Sequence, residues 1–125
     1  MIAGVLLYQL LSPLVTNEDG SGRVYPKYAP EGQTVTLPYI IYRTISNLPD
    51  DSMDGVSGHE WVRVQIDIYH DNYDDGINLA NNAVDVLNAN IKPMVYHGMT
   101  EPDEPDPTIY RQSFDVEFWQ DRVNI

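Results

Sequence analysis

Residues 61–70 (WVRVQIDIYH) alternate strictly between apolar and polar positions. Val62, Val64, Ile66 and Ile68 fall on one side, and Trp61, Arg63, Gln65, Asp67 and Tyr69 on the other. A period of two means a strand with one face on a core and one face open, as antiparallel sheets allow. Residues 108–121 (TIYRQSFDVEFWQD) repeat the pattern, with Tyr110, Phe114, Val116 and Phe118 alternating with Arg111, Ser113, Asp115 and Glu117. Residues 38–46 (PYIIYRTIS) predict a third strand, since proline is acceptable at a strand's first position. Val24, Tyr25 and Pro26 predict a short edge strand, and residues 94–97 another short strand.

The period changes to helical in two places. Ile2, Val5, Leu6 and Gln9, then Leu10 and Leu14, follow a helical spacing with apolar members dominating, and the helix should end near Leu11 because Pro13 cannot sit inside it. Further on, Ile77, Ala80, Ala83, Val84 and Leu87 form a second stripe. Asp71 or Asn72 can cap its start, and Asp74 and Asp75 lie in the first turn, where the helix dipole favours negative charge. That helix should fray near residues 88–90. Residues 17–22 (NEDGSG) read as a turn, and residues 47–58 (NLPDDSMDGVSG) as a long flexible loop. Residues 101–107 (EPDEPDP) form an acidic, proline-rich connection outside regular structure. The fold class is therefore α+β: a mostly antiparallel sheet flanked by an N-terminal helix and one central helix, with 1–125 a single domain.

Charge and composition narrow the function. With 19 acidic and 7 basic residues the net charge is −12, a surface that repels phosphate backbones and anionic lipid. Specific nucleic-acid recognition is not expected, although DNA can slide past acidic walls. No apolar stretch approaches the roughly 20 residues needed to span a bilayer, so no membrane association is expected. There is no cysteine, which excludes disulfides and thiolate metal sites. No serine sits in a nucleophile elbow, and no phosphate-binding glycine loop occurs. Asp50, Ser52, Asp54 and Gly55 imitate the start of a calcium loop, but Trp61 stands where a bidentate glutamate is required. His59, His70 and His97 have no metal spacing. No catalytic residue, cofactor or metal site is expected, and the chain reads as a non-enzyme.

One order of elements is familiar. An apolar N-terminal helix precedes R-V-Y-P at Arg23 to Pro26 and P-Y-I-I-Y at Pro38 to Tyr42. An acidic loop then ends S-x-D-G at Ser52 to Gly55, followed by G-H-E-W-V-R-V-Q-I-D-I-Y at Gly58 to Tyr69 and a helix beginning near Tyr73. This order resembles the tail-completion (tail-terminator) family of siphophages and prophages over about residues 1–90. Residues 101–107 and the long last strand lie outside the resemblance. It implies a virion structural protein at the head–tail junction, assembled in the host cytoplasm. Such a protein forms a ring, hexameric in the family, that terminates the tail tube and provides the head-docking surface. The implied partners are further copies of itself, the major tail tube protein and a head-completion or connector protein.

Within that frame, Asp50, Asp51, Asp54, Gly55, Trp61, Arg43, Arg63 and Arg111 are candidate subunit- or tube-interface residues. The 47–59 segment either reaches a neighbouring subunit or the tube, or is a solvated surface loop. Arg43, Arg63 and Arg111 stand beside Asp67, Asp115 and Glu117, and pair either between subunits or within one. A head-to-tail ring needs two different complementary patches, which charges of both signs can supply. The alternative is a small carbohydrate- or peptide-binding module using Trp61 and Trp119 on the outward phases. A small acid–base hydrolase has the least support.

Overall fold

The computed structural model describes residues 3–30, 35–52 and 55–121. In chain order it contains α1 (Ala3–Leu11), a short 3-10 turn (Ser12–Leu14), β1 (Val24–Pro26), β2 (Tyr39–Ser52), β3 (Gly55–His70), α2 (Tyr73–Asn90), β4 (Met94–Thr100) and β5 (Tyr110–Asp121). The strands form one sheet in the order β1-β2-β3-β5-β4. Only β1 runs parallel to its neighbour; the other three pairings are antiparallel. The fold is α+β.

The core forms where alternation on the strands meets the helical stripes. Val62, Val64, Ile66 and Ile68 of β3 and Val116 and Phe118 of β5 are wholly buried, with Phe114 nearly so. Ala80, Ala83 and Leu87 of α2 cover them, and Leu7 and Leu11 of α1 complete the cluster. Asn72 caps α2, its side chain accepting from the Asp75 amide at 3.0 Å. The first amide of α1 would be an orphan donor; Ala3 N–H donates instead to Gln120 Oε1 of β5 at 2.9 Å. After the 3-10 turn, Gly22 lets the chain pass close to the helix end, since a Cβ there would lie 2.1 Å from Ser12 Oγ. Ile77 and Val84 are half-buried, and Gly76 joins the buried face of α2. On β5, Tyr110 is exposed and Gln112 is buried in the inward phase.

The largest difference from the sequence expectation lies at residues 47–58. The segment is not a long loop. β2 continues to Ser52 and β3 begins at Gly55, with Ser52 opposite Gly55 and Asp51 opposite Val56. Prolines and glycines normally punctuate strands, but a continuous partner strand supplies backbone hydrogen bonds that outweigh local turn preference. Register shifts between Thr44 and Ser46 and between Pro49 and Asp51 absorb the irregularity, the second beside a proline that has no N–H to give.

The β2–β3 ribbon outruns its neighbours. β1 pairs only with residues 40–42 of β2. Among the described residues, β5 accompanies β3 as far as His59 opposite Asp121. Among the described residues, the end of the ribbon therefore forms a two-stranded arm, with Gly55 to Gly58 paired to β2 alone. With four residues on the β3 side, it extends on the order of 13 Å by strand rise.

Candidate functional site

The helices cover one face of the sheet, and the opposite face carries the alternate residues of the same strands. Trp61, Arg63, Gln65, Asp67 and Tyr69 of β3 lie opposite Trp119, Glu117, Asp115, Ser113 and Arg111 of β5. Among the described residues, the side-chain hydrogen bonds between β3 and β5 on this face run diagonally, and in one direction. Trp61 Nε1–H donates to Glu117 Oε1 at 3.1 Å, although Glu117 stands opposite Arg63. Arg63 Nε–H donates at 2.9 Å to Asp115, which stands opposite Gln65. Arg111, opposite Tyr69, donates through Nε–H to Asp67 at 3.1 Å. Each β3 side chain thus meets the partner of the residue two places further along its strand. The common twist of the two strands brings one diagonal closer and gives all three pairs the same sense.

The lower end of this face, at the start of β5, is the more enclosed. Asp67 is only 5% exposed and also accepts from Gln65 Nε2 at 3.0 Å. Tyr39 stacks on Tyr69 with ring centroids 4.9 Å apart, Tyr25 tilts against Tyr39, and the Arg111 guanidinium lies over the Tyr69 ring. Burial pushes the Tyr69 phenol up; Arg111 opposes that shift and Asp67 adds to it. For Arg111, burial works against the charge, but the hydrogen bond and the charge of Asp67 more than compensate and raise its pKa.

The 101–109 segment wraps this end of the sheet. Glu101 accepts from Tyr73 on the helix side at 2.8 Å and from Gln112 of β5 at 3.3 Å. Glu104 reaches the open face and approaches Arg111 Nη1 at 3.5 Å. The acidic connection is therefore an irregular strap whose carboxylates face both sides of the sheet.

Towards β4, His97 hydrogen-bonds Glu117 beside a bulge at Gly98, whose φ of +94° suits glycine. The hydrogen bond from His97, with a smaller one from Trp61, holds the Glu117 carboxyl below the usual range despite opposing burial. A shallow hollow of about 360 Å³ lies over Arg63, Gln65, His97, Arg111 and Asp115. Its charges already have partners, and among the described residues no buried side-chain nitrogen or oxygen lacks one.

Of the candidate residues, the structure brings Arg43, Trp61, Arg63 and Arg111 onto this one face. Arg63 and Arg111 form ladders within the chain. Arg43 donates to the Lys27 carbonyl at 3.1 Å and lies over the Tyr28 ring. Asp50, Asp51 and Gly55 belong to the projecting arm, where the backbone alone is described, and Asp54 lies outside the described residues. Trp61 and Trp119 are direct cross-strand neighbours, 5.0 Å between centroids, but meet edge to face at 71° and share no flat platform. His59 and His70 stand at the two ends of the core-spanning part of β3. Among the described residues no group of three histidines or carboxylates is placed to hold a metal, and no helix is long and apolar enough to cross a membrane.

Residue-type reasoning missed His97, Glu104 and the Tyr25–Tyr39–Tyr69 row. The row had a signal: these tyrosines share the outward phase of their strands. Glu104 had none, because a proline-rich segment carries no period from which to place a side chain. Compared with known proteins, the chain matches no family model and no curated protein sequence.

Proposed function

We propose that this protein is a structural subunit that assembles with copies of itself into a ring ending a phage-type tail tube and presenting the head-docking surface. The observation that carries the reading is the β2–β3 arm. A two-stranded ribbon without a third strand is marginal in water. The arm has no described strand flanking its end, yet pairs through to Ser52 and Gly55. Such an extension is of little use to a solitary domain and suits a subunit that reaches a neighbour or a tube end. The acidic balance agrees with a conduit through which DNA moves without sticking. The saturated hollow on the open face supports a docking surface better than a catalytic one.

A binding module built on Trp61 and Trp119 fits less well. Edge-to-face packing uses one ring's face on the other, and Trp61's N–H is engaged by Glu117.

Light scattering across a concentration series, with electron microscopy of the protein mixed with tail tubes, tests the proposal. Rings, free or seated on one tube end, are expected. Replacing residues 51–58 by Asn-Gly, which suits a tight hairpin and leaves Pro49 paired with Glu60, should preserve the fold and abolish tube-end binding. A strict monomer that never decorates tube ends would overturn the reading.

A further inference from the structure

The sheet holds two kinds of cation. Arg63 and Arg111, on its central strands, are paired with Asp115 and Asp67. Lys27 and Arg43, at the β1–β2 edge, are both exposed, and among the described residues the ion pairs involve neither of them. Local structure presents these two. β1 stops at Pro26, and Lys27 turns the chain at a φ of 66°, in the left-handed region that a lysine seldom enters. Two hydrogen bonds hold the turn: Lys27 N–H donates to the Tyr42 carbonyl at 2.9 Å, and Tyr28 N–H to the Pro26 carbonyl at 2.7 Å. Tyr28 is 71% exposed, and the Arg43 guanidinium lies over its ring while donating to the Lys27 carbonyl. The result is a cationic shelf at the step where β1 ends and β2 runs on.

The arm has the opposite charge. Residues 49–58 include Asp50, Asp51 and Asp54 and no lysine or arginine. Asp50 and Asp51 lie further along the same strand as Arg43, on the order of 20 Å away by strand rise. Because both sit on one continuous strand, the arm of a copy cannot reach its own shelf; the arm of another copy can. Copies with a net charge of −12 repel at long range, so a contact that joins opposite charges is where they approach most readily.

Resting on the ring reading above, we propose that the arm of one copy lies against Lys27, Tyr28 and Arg43 of the next, with Asp50 and Asp51 towards the two cations. Arm and shelf are different patches, so the contact is heterologous, and repetition closes a ring or runs on as a filament. The opposite charges steer the approach and fix its register.

Charge reversal tests this away from the core. One variant carries Lys27→Glu and Arg43→Glu, which sets an acidic shelf beside an acidic arm. The other carries Asp50→Lys and Asp51→Lys, which sets a cationic arm beside a cationic shelf. Each alone should self-associate at least about tenfold more weakly than wild type at low salt, read by light scattering, with an unchanged circular dichroism spectrum. Mixed in equal amounts they should recover the oligomers, because every shelf then meets an arm of opposite sign.

If each variant alone assembles as wild type does, the ring stands and this contact is wrong. If the variants are weakened alone but the mixture is not restored, arm and shelf do not meet each other and the proposal falls. Variants that form rings normally but no longer seat on tubes would assign these surfaces to the tube protein, which also overturns it. A wild-type protein that is monomeric at every concentration and on tubes ends both this contact and the ring.

Discussion

The two faces of the central sheet are built by alternate residues of the same strands, yet they are held together by different physics. Beneath the helices, Val64, Ile66, Val116 and Phe118 are wholly buried, and their contribution is non-directional. On the open face, Trp61, Arg63 and Arg111 each hydrogen-bond one carboxylate across the β3–β5 pair, along one diagonal set by strand twist. Apolar packing tolerates exchange among side chains of similar volume. A diagonal ladder does not, because moving a charge one position removes both its partner and its geometry. One face therefore secures the fold, while the other fixes the positions of charges on a surface left free for contact.

The comparison breaks most readily from the covered side. Phe114→Ala removes a nearly buried ring that packs in the core and meets Tyr96 edge to face at 6.0 Å. The expected loss is about 3–5 kcal/mol, read from the urea midpoint of unfolding. A loss near 1 kcal/mol would mean that this face does not carry the fold.

The open face should respond unevenly. Arg111→Ala leaves Asp67 as an almost buried carboxylate without its cation, with side-chain exposures of 23% for Arg111 and 7% for Asp67. The expected cost is about 2 kcal/mol, at the lower end for such a pair because water still reaches the guanidinium. Arg63→Ala removes a pair of similar geometry, but one exposed by 39% and 25%, and should cost less than about 1 kcal/mol. Equal costs in parallel denaturation curves would show that the enclosed lower end is no more firmly built than the upper end.

The sequence exposed the covered face far better than the open one, for a physical reason. Burial needs only apolar residues at the right period, so Val62 to Ile68, Phe114 to Phe118 and the α2 stripe announce themselves. The diagonal pairing depends on a register between β3 and β5, whose partners are about fifty residues apart in the chain. The arm was hidden differently: Asn47, Pro49, Asp50 and Gly55 are turn-forming residues, and only the facing strand turns them into a ribbon. The depth of Asp67 was hidden because Arg111 and Gln65 gather around it only once the sheet is assembled.

The smallest expected effect is a titration at the upper end of the open face. Glu117 accepts hydrogen bonds from His97 and Trp61, and the His97 bond is the larger cause of its lowered pKa. In an unfolded chain a glutamate titrates near about 4.3. A carboxyl that is more acidic when folded contributes its full stabilisation above the unfolded value and loses it as pH falls through the folded value. The contribution is therefore present at neutral pH and disappears only in the acid range below about pH 4.3. His97→Phe removes the larger hydrogen bond and leaves the one from Trp61 Nε1. The Glu117 midpoint, followed by carboxyl carbon NMR, should then rise part of the way towards the usual glutamate value, and acid unfolding should begin at a slightly higher pH. An unmoved midpoint would mean that the His97 bond does not form in solution, and with it would go the link that ties the β4 edge to the charge ladder on this face.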